Sequence, residues 1–99
     1  LFGPSQQDFY IPVSGTSTTI SVYGYYDPVY LGPKPQFTIT DAQAVGLSDS
    51  SISMTGASGQ WEKLSLTIVP NGLGVVTARL INNCTGSCGS NYWDCFSVI

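Results

Sequence analysis

The feature that most restricts this chain is a two-residue period in side-chain polarity that recurs along its length. Leu64, Leu66 and Ile68 alternate with Lys63, Ser65 and Thr67; Val76, Ala78 and Leu80 alternate with Thr77 and Arg79; Ile20 and Val22 alternate with Ser21, Tyr23 and Tyr25. Successive side chains of an extended strand point to opposite faces, so each stretch acquires one apolar face as a strand and none as a helix. Strong helix formers are sparse, while Thr, Val, Ile and Tyr are frequent, which favours the same reading.

Seven strands follow from this pattern: Asp8–Val13, Thr18–Tyr26, Gln36–Thr40, Ser50–Met54, Trp61–Val69, Gly74–Ile81 and Tyr92–Val98. Turn residues separate them, with Ser14-Gly15-Thr16-Ser17, Thr55-Gly56-Ala57-Ser58-Gly59 and Pro70-Asn71-Gly72 the clearest. Pro12 lacks an N–H and marks a strand end or a sheet edge. Gly24 continues the row of Ile20 and Val22, which suggests a bulge or a close approach there. The loop Asp27–Pro35 holds three prolines and is stiffer than its length suggests. Residues 41–49 form a polar connection with room for a short turn of helix. The expectation is an all-β, antiparallel sandwich in a single domain, 1–99, with Phe37, Trp61 and Phe96 in its core.

Charge narrows the function classes. Only 9% of residues are charged, the net charge is −3, and the cations are Lys34, Lys63 and Arg79. Nucleic-acid binding and attachment to anionic membranes both need clustered cations, so neither is expected. No apolar run approaches the ~20 residues of a membrane-spanning helix. The chain begins at Leu1, and it is expected to be a processed product, an excised domain or part of something longer.

Histidine is absent, which removes the commonest general base and transition-metal ligand. The six acids sit mostly beside turns, with no spacing that brings two onto one face. The chain is therefore read as non-catalytic, without a cofactor. Cys84, Cys88 and Cys95 are too few for a zinc site but suit a local disulfide. Cys84–Cys88 is preferred because Gly86 permits the tight turn; Cys95 is either an alternative partner or the odd thiol, expected to be free and buried, with a bond to a neighbouring subunit as the alternative. Asn83-Cys84-Thr85 fits a glycosylation acceptor, a triplet that often arises by chance. Aromatic residues cluster at Tyr23, Tyr25, Tyr26 and Tyr30 and again at Tyr92 and Trp93. Rings with a polar rim stack on sugars as well as on each other, so Tyr23, Tyr25 and Tyr30 are candidate glycan contacts.

The order of segments carries a resemblance: Ile11-Pro12-Val13, Thr18 to Tyr23, Gln36-Phe37-Thr38-Ile39, Gly59 to Leu64, Gly74 to Leu80 and Tyr92 to Val98. It resembles the carbohydrate-binding-module type of jelly roll, the galactose-binding-like sandwiches, in variants of bacterial surface and phage structural proteins. The resemblance implies about eight strands, so an N-terminal strand before Asp8 is expected to be missing. It also implies a structural calcium near a final Asp-Asp. Asp94 matches the first and Cys95 replaces the second, which leaves Asp94 and Asp8 as weak calcium candidates. The expected function is an adhesive or assembly module outside the cytoplasm, on a cell or virion surface. Its partners would be neighbouring subunits or the rest of a longer protein, joined through sheet edges; a carbohydrate-binding module is the alternative.

Overall fold

The computed structural model describes residues 4–41, 49–85 and 89–99. Its strands are β1 (Ser5–Ser14), β2 (Thr18–Tyr26), β3 (Gln36–Asp41), β4 (Ser50–Ser53), β5 (Glu62–Ile68), β6 (Leu73–Asn82) and β7 (Asn91–Val98). They form two antiparallel sheets, ordered β1-β6-β3-β4 and β5-β2-β7. The pairs β1·β6, β2·β5 and β3·β4 nest inside one another, as in a long hairpin folded back on itself. This is jelly-roll winding with three nested pairs in place of four, and β7 adds beside β2. The turn of helix considered for 41–49 falls on residues 42–48, outside those described.

The alternating rows become the core. Ile20 and Val22 of β2 and Leu64 and Ile68 of β5 face Phe37 and Ile39 of β3 and Val76, Ala78 and Leu80 of β6. Ile11 and Val13 of β1 and Met54 complete it. Gly24 marks a close approach: a Cβ there would lie 2.9 Å from both Met54 Sδ and Trp93 Cζ3. The register shift in β2 lies two residues earlier on the β7 side, between Ser21 and Tyr23. Opposite it, Cys95 is an extra residue in β7 with φ of 54°, a β-bulge.

Three expectations need correction. The first strand starts at Ser5, not Asp8, and pairs with β6 along its whole length, from Ser5 opposite Asn82 to Ser14 opposite Leu73. Pro12 is accommodated because β1 is an edge strand. Among the described residues the second sheet has one strand fewer than the first, and β7 is its edge on the side of β1. There the sandwich is open. β4 lies against β5 on one side, whereas on the other the gap between β1 and β7 is bridged by the Phe9 and Phe96 rings, 5.2 Å apart.

Phe96 and Val98 face the core side, since Val98 stands opposite Ile20, yet they are 36% and 44% exposed. No described strand covers them. Trp61 is likewise outside the core, 51% exposed. It shares the outward parity of Lys63, Ser65 and Thr67, and a core position would have required an even number in this strand.

Candidate binding face

The outward row of β2 runs Thr19, Ser21, Tyr23, Tyr25. Cross-strand register places Tyr23 between Lys63 of β5 and Asp94 of β7, and Tyr25 opposite Tyr92. Trp61, just before β5, leans on the same row. The Tyr25 ring lies 5.3 Å from Trp61 at 43° and 5.8 Å from Tyr92 at 51°. These tilted, offset geometries hold the rings in place while leaving faces open to solvent. Trp61 and Tyr92 are each 51% exposed, and Tyr23 is also exposed. Beyond the rings, Thr19 and Thr67 share a hydroxyl hydrogen bond of 2.9 Å, and Ser21 and Ser65 another of 2.9 Å. An open depression of about 250 Å³ lies between Tyr23, Trp61, Asp94 and Cys95.

The loop that presents Trp61 is held from beneath. Glu62 accepts hydrogen bonds from the N–H groups of Thr55 (2.9 Å) and Gly56 (2.8 Å) and from the Thr55 hydroxyl (3.0 Å). Gly59 N–H donates to the Tyr26 carbonyl at 2.9 Å, and the Tyr26 hydroxyl donates to the Gly56 carbonyl at 2.7 Å. Partial burial pushes the Glu62 carboxyl upward, but those donors, aided by Lys34, outweigh it and hold it below its ordinary value of 4.5. A carboxyl depressed on folding stabilises the native state above its unfolded value and loses that contribution as pH falls through the folded one. Melting is therefore expected to drop below about pH 4.5, and Glu62→Gln, less stable at pH 7, should show a shallower drop. Thermal melts at pH 7 and pH 3 check this; equal slopes would remove Glu62 from the account. Asp8 acts in the same direction, lowered by its hydrogen bond from Arg79.

The remaining sequence candidates lie elsewhere. Tyr23 and Tyr25 belong to the face, but Tyr30 does not. It is 8% exposed, its hydroxyl donates to the Pro33 carbonyl at 2.8 Å and accepts from Asn83 N–H at 2.9 Å, and its ring packs 5.3 Å from Tyr26. Burial raises its hydroxyl pKa, as expected of an internal group. Asp8 and Asp94 sit on the outer faces of different sheets and share no site. Asp8 pairs with Arg79 at 2.9 Å, and an Asp94 oxygen accepts from Cys95 N–H at 2.8 Å. Among the described residues no group of three His, Cys, Asp or Glu could hold a metal.

Cys95 is free and exposed rather than buried, so no disulfide joins the two described cysteines, Cys84 and Cys95. The preferred pairing of Cys84 falls on Cys88, outside the described residues. Asn83 of the acceptor triplet uses its side-chain amide to donate to the Lys34 carbonyl at 3.2 Å.

Trp61 and Tyr92 are the site residues that sequence reasoning missed. Their signal was present: each falls on the polar row of its strand, where a ring has no core to fill. No protein-family model matches this chain, no curated protein matches it, and no solved structure matches it.

Proposed function

We propose that this chain is a non-catalytic, surface-displayed β-sandwich module whose adhesive role is carried by the Tyr23–Tyr25–Trp61–Tyr92 face, and that the ligand held there is a glycan. The observation that carries this reading is the gathering of four rings on one outward sheet face, three of them exposed, with no apolar cover among the described residues. Exposed rings in a contiguous patch favour a partner, and a shallow, rigid face suits one that is flat and bears hydroxyls. The apolar faces of a sugar ring fit against aromatic π-faces, while Lys63, Asp94 and the hydroxyl rungs reach its polar rim. The resemblance to galactose-binding-like sandwiches supports the same ligand class. The scarcity of charge suits a module displayed outside the cytoplasm.

A glycan array probed with the labelled chain tests this, together with quenching of the exposed Trp61 fluorescence by the best ligands. Selective retention with a fluorescence change is expected. Retention of no glycan, with fluorescence unmoved by mixed polysaccharides, overturns it. A second reading, assembly through sheet edges, is favoured by the open side of the sandwich at β7.

A further inference from the structure

The edge of β7 facing away from β2 combines three features. Thr19 and Ile99 exchange both of their backbone hydrogen bonds, at 2.8 and 2.9 Å. By the alternation of an antiparallel ladder, Val98 therefore aims its N–H and C=O at the free edge. Second, the core-side residues Phe96 and Val98 are half exposed there, beside Phe9. Third, the free, exposed thiol of Cys95 lies on the same strand. Edge strands are normally guarded by Lys, Pro or a bulge. β7 has no Lys or Pro and a single charge, Asp94, which leaves the bulge as the guard within the strand itself.

The bulge also selects the partner. Asn91, Trp93, Phe96 and Val98 face inward and Tyr92, Asp94 and Ser97 outward, so the extra residue at Cys95 puts the two halves of β7 out of step by one. Directly opposite residues in an antiparallel pair must share a face. A regularly alternating strand, as β2 shows on the other side, matches both halves of β7 only by leaving one residue of β7 extra and unpaired. A strand with the same break, running the opposite way, matches both halves with no residue left over, and the second copy's β7 is such a strand.

We propose that β7 binds β7 of a second copy about a two-fold axis within one residue of Cys95, joining two three-stranded sheets into one of six strands. This extends the assembly reading and does not depend on what the aromatic face holds. Near that axis, Trp93 of one copy meets Phe96 or Val98 of the other, covering side chains that a single copy leaves open.

Strands lie about 4.8 Å apart and residues about 3.4 Å along them, so the two Cys95 Cα atoms stand about 6 Å apart, diagonally across the axis. That spacing lies within disulfide range. A low-molecular-weight disulfide such as oxidised glutathione supplies the oxidant. One Cys95 thiolate attacks it and expels the first glutathione thiolate. The second Cys95 thiolate attacks the mixed disulfide and expels the other. Net, two protein thiols become one disulfide and oxidised glutathione becomes two glutathione thiols. The two Asp94 carboxylates approach each other on the exposed face, so salt should strengthen the pairing by screening them. The dimer places both aromatic faces on one continuous sheet surface.

The test is light scattering on the 99-residue chain at high concentration, followed by oxidised glutathione and non-reducing electrophoresis. The parent is expected to show twice the monomer mass, rising in proportion with salt, and to cross-link through Cys95 as mapped by peptide mass. Cys95→Ser should remain a dimer without the cross-link. Val98→Pro removes an N–H that β2 does not use, and Phe96→Glu leaves the backbone intact; each should be monomeric with parent-like circular dichroism. If Val98→Pro fails to fold, Phe96→Glu decides. A parent that stays monomeric at millimolar concentration, or Cys95 cross-linking as efficient in Phe96→Glu as in the parent, overturns the proposal.

Discussion

A chain carrying both Tyr25→Ala and Trp61→Ala is expected to bind about 50-fold more weakly to any glycan the parent retains, while its melting temperature moves by only a few degrees. Each of the two rings contributes about 1.2 kcal/mol of stacking, and together they give the fold-change at 1.4 kcal/mol per tenfold. The small cost to stability follows from position. Trp61 is half exposed and outside β5, and Tyr25 meets only Trp61 and Tyr92 among the aromatic rings. Tyr30→Ala supplies the contrast. It removes a buried ring and a hydroxyl that joins Pro33 to Asn83, so it should lower stability by about 3 kcal/mol and leave the face intact. Array binding and thermal melts on the same preparations separate the two outcomes. Equal loss of binding by Tyr30→Ala, in a chain that remains folded, would move the site away from the outer face.

Phe37→Ala is expected to lower the melting temperature by about 20 °C or to leave the chain unfolded. Phe37 is wholly buried, between Ile52 of β4 and Leu80 of β6 in the register of the four-stranded sheet. Truncating such a ring costs about 3–5 kcal/mol, against a total stability of about 5–15 kcal/mol for a domain. In a domain of this size each kcal/mol is worth about 4–8 °C. Phe96→Ala, at the open side, should cost much less. Equal losses would mean that the β7 edge is covered in the isolated chain.

The sandwich was legible in the sequence because its code is local. Parity along each strand assigns Ile20, Leu64 and Val76 inward, and their burial follows it. The same parity would have placed Trp61 outward, but assigning large rings to the core by size alone hid this. Tyr30 was misread for another reason. It lies in the Pro-rich loop, where no alternation exists, and its position depends on Asn83, more than fifty residues away in the chain. The openness of β7 was not legible either, because exposure of an inward row depends on how many strands the facing sheets contain. The sequence pattern fixes which way Phe96 and Val98 point, not what lies over them.

The nesting of the strand pairs also constrains when the molecule can become complete. β3 and β4 are neighbours in the chain and can meet early, whereas β1 joins β6 only across the 58 residues between Ser14 and Leu73. Loop closure favours the inner pair first, then β2 with β5, and last the outer pair. During synthesis β1 emerges well before β6 and has no ladder to join until β6 has left the ribosome. For most of that interval Phe9, Tyr10 and Ile11 form part of an uncovered strand, the kind of segment that chaperones bind and neighbouring nascent chains capture.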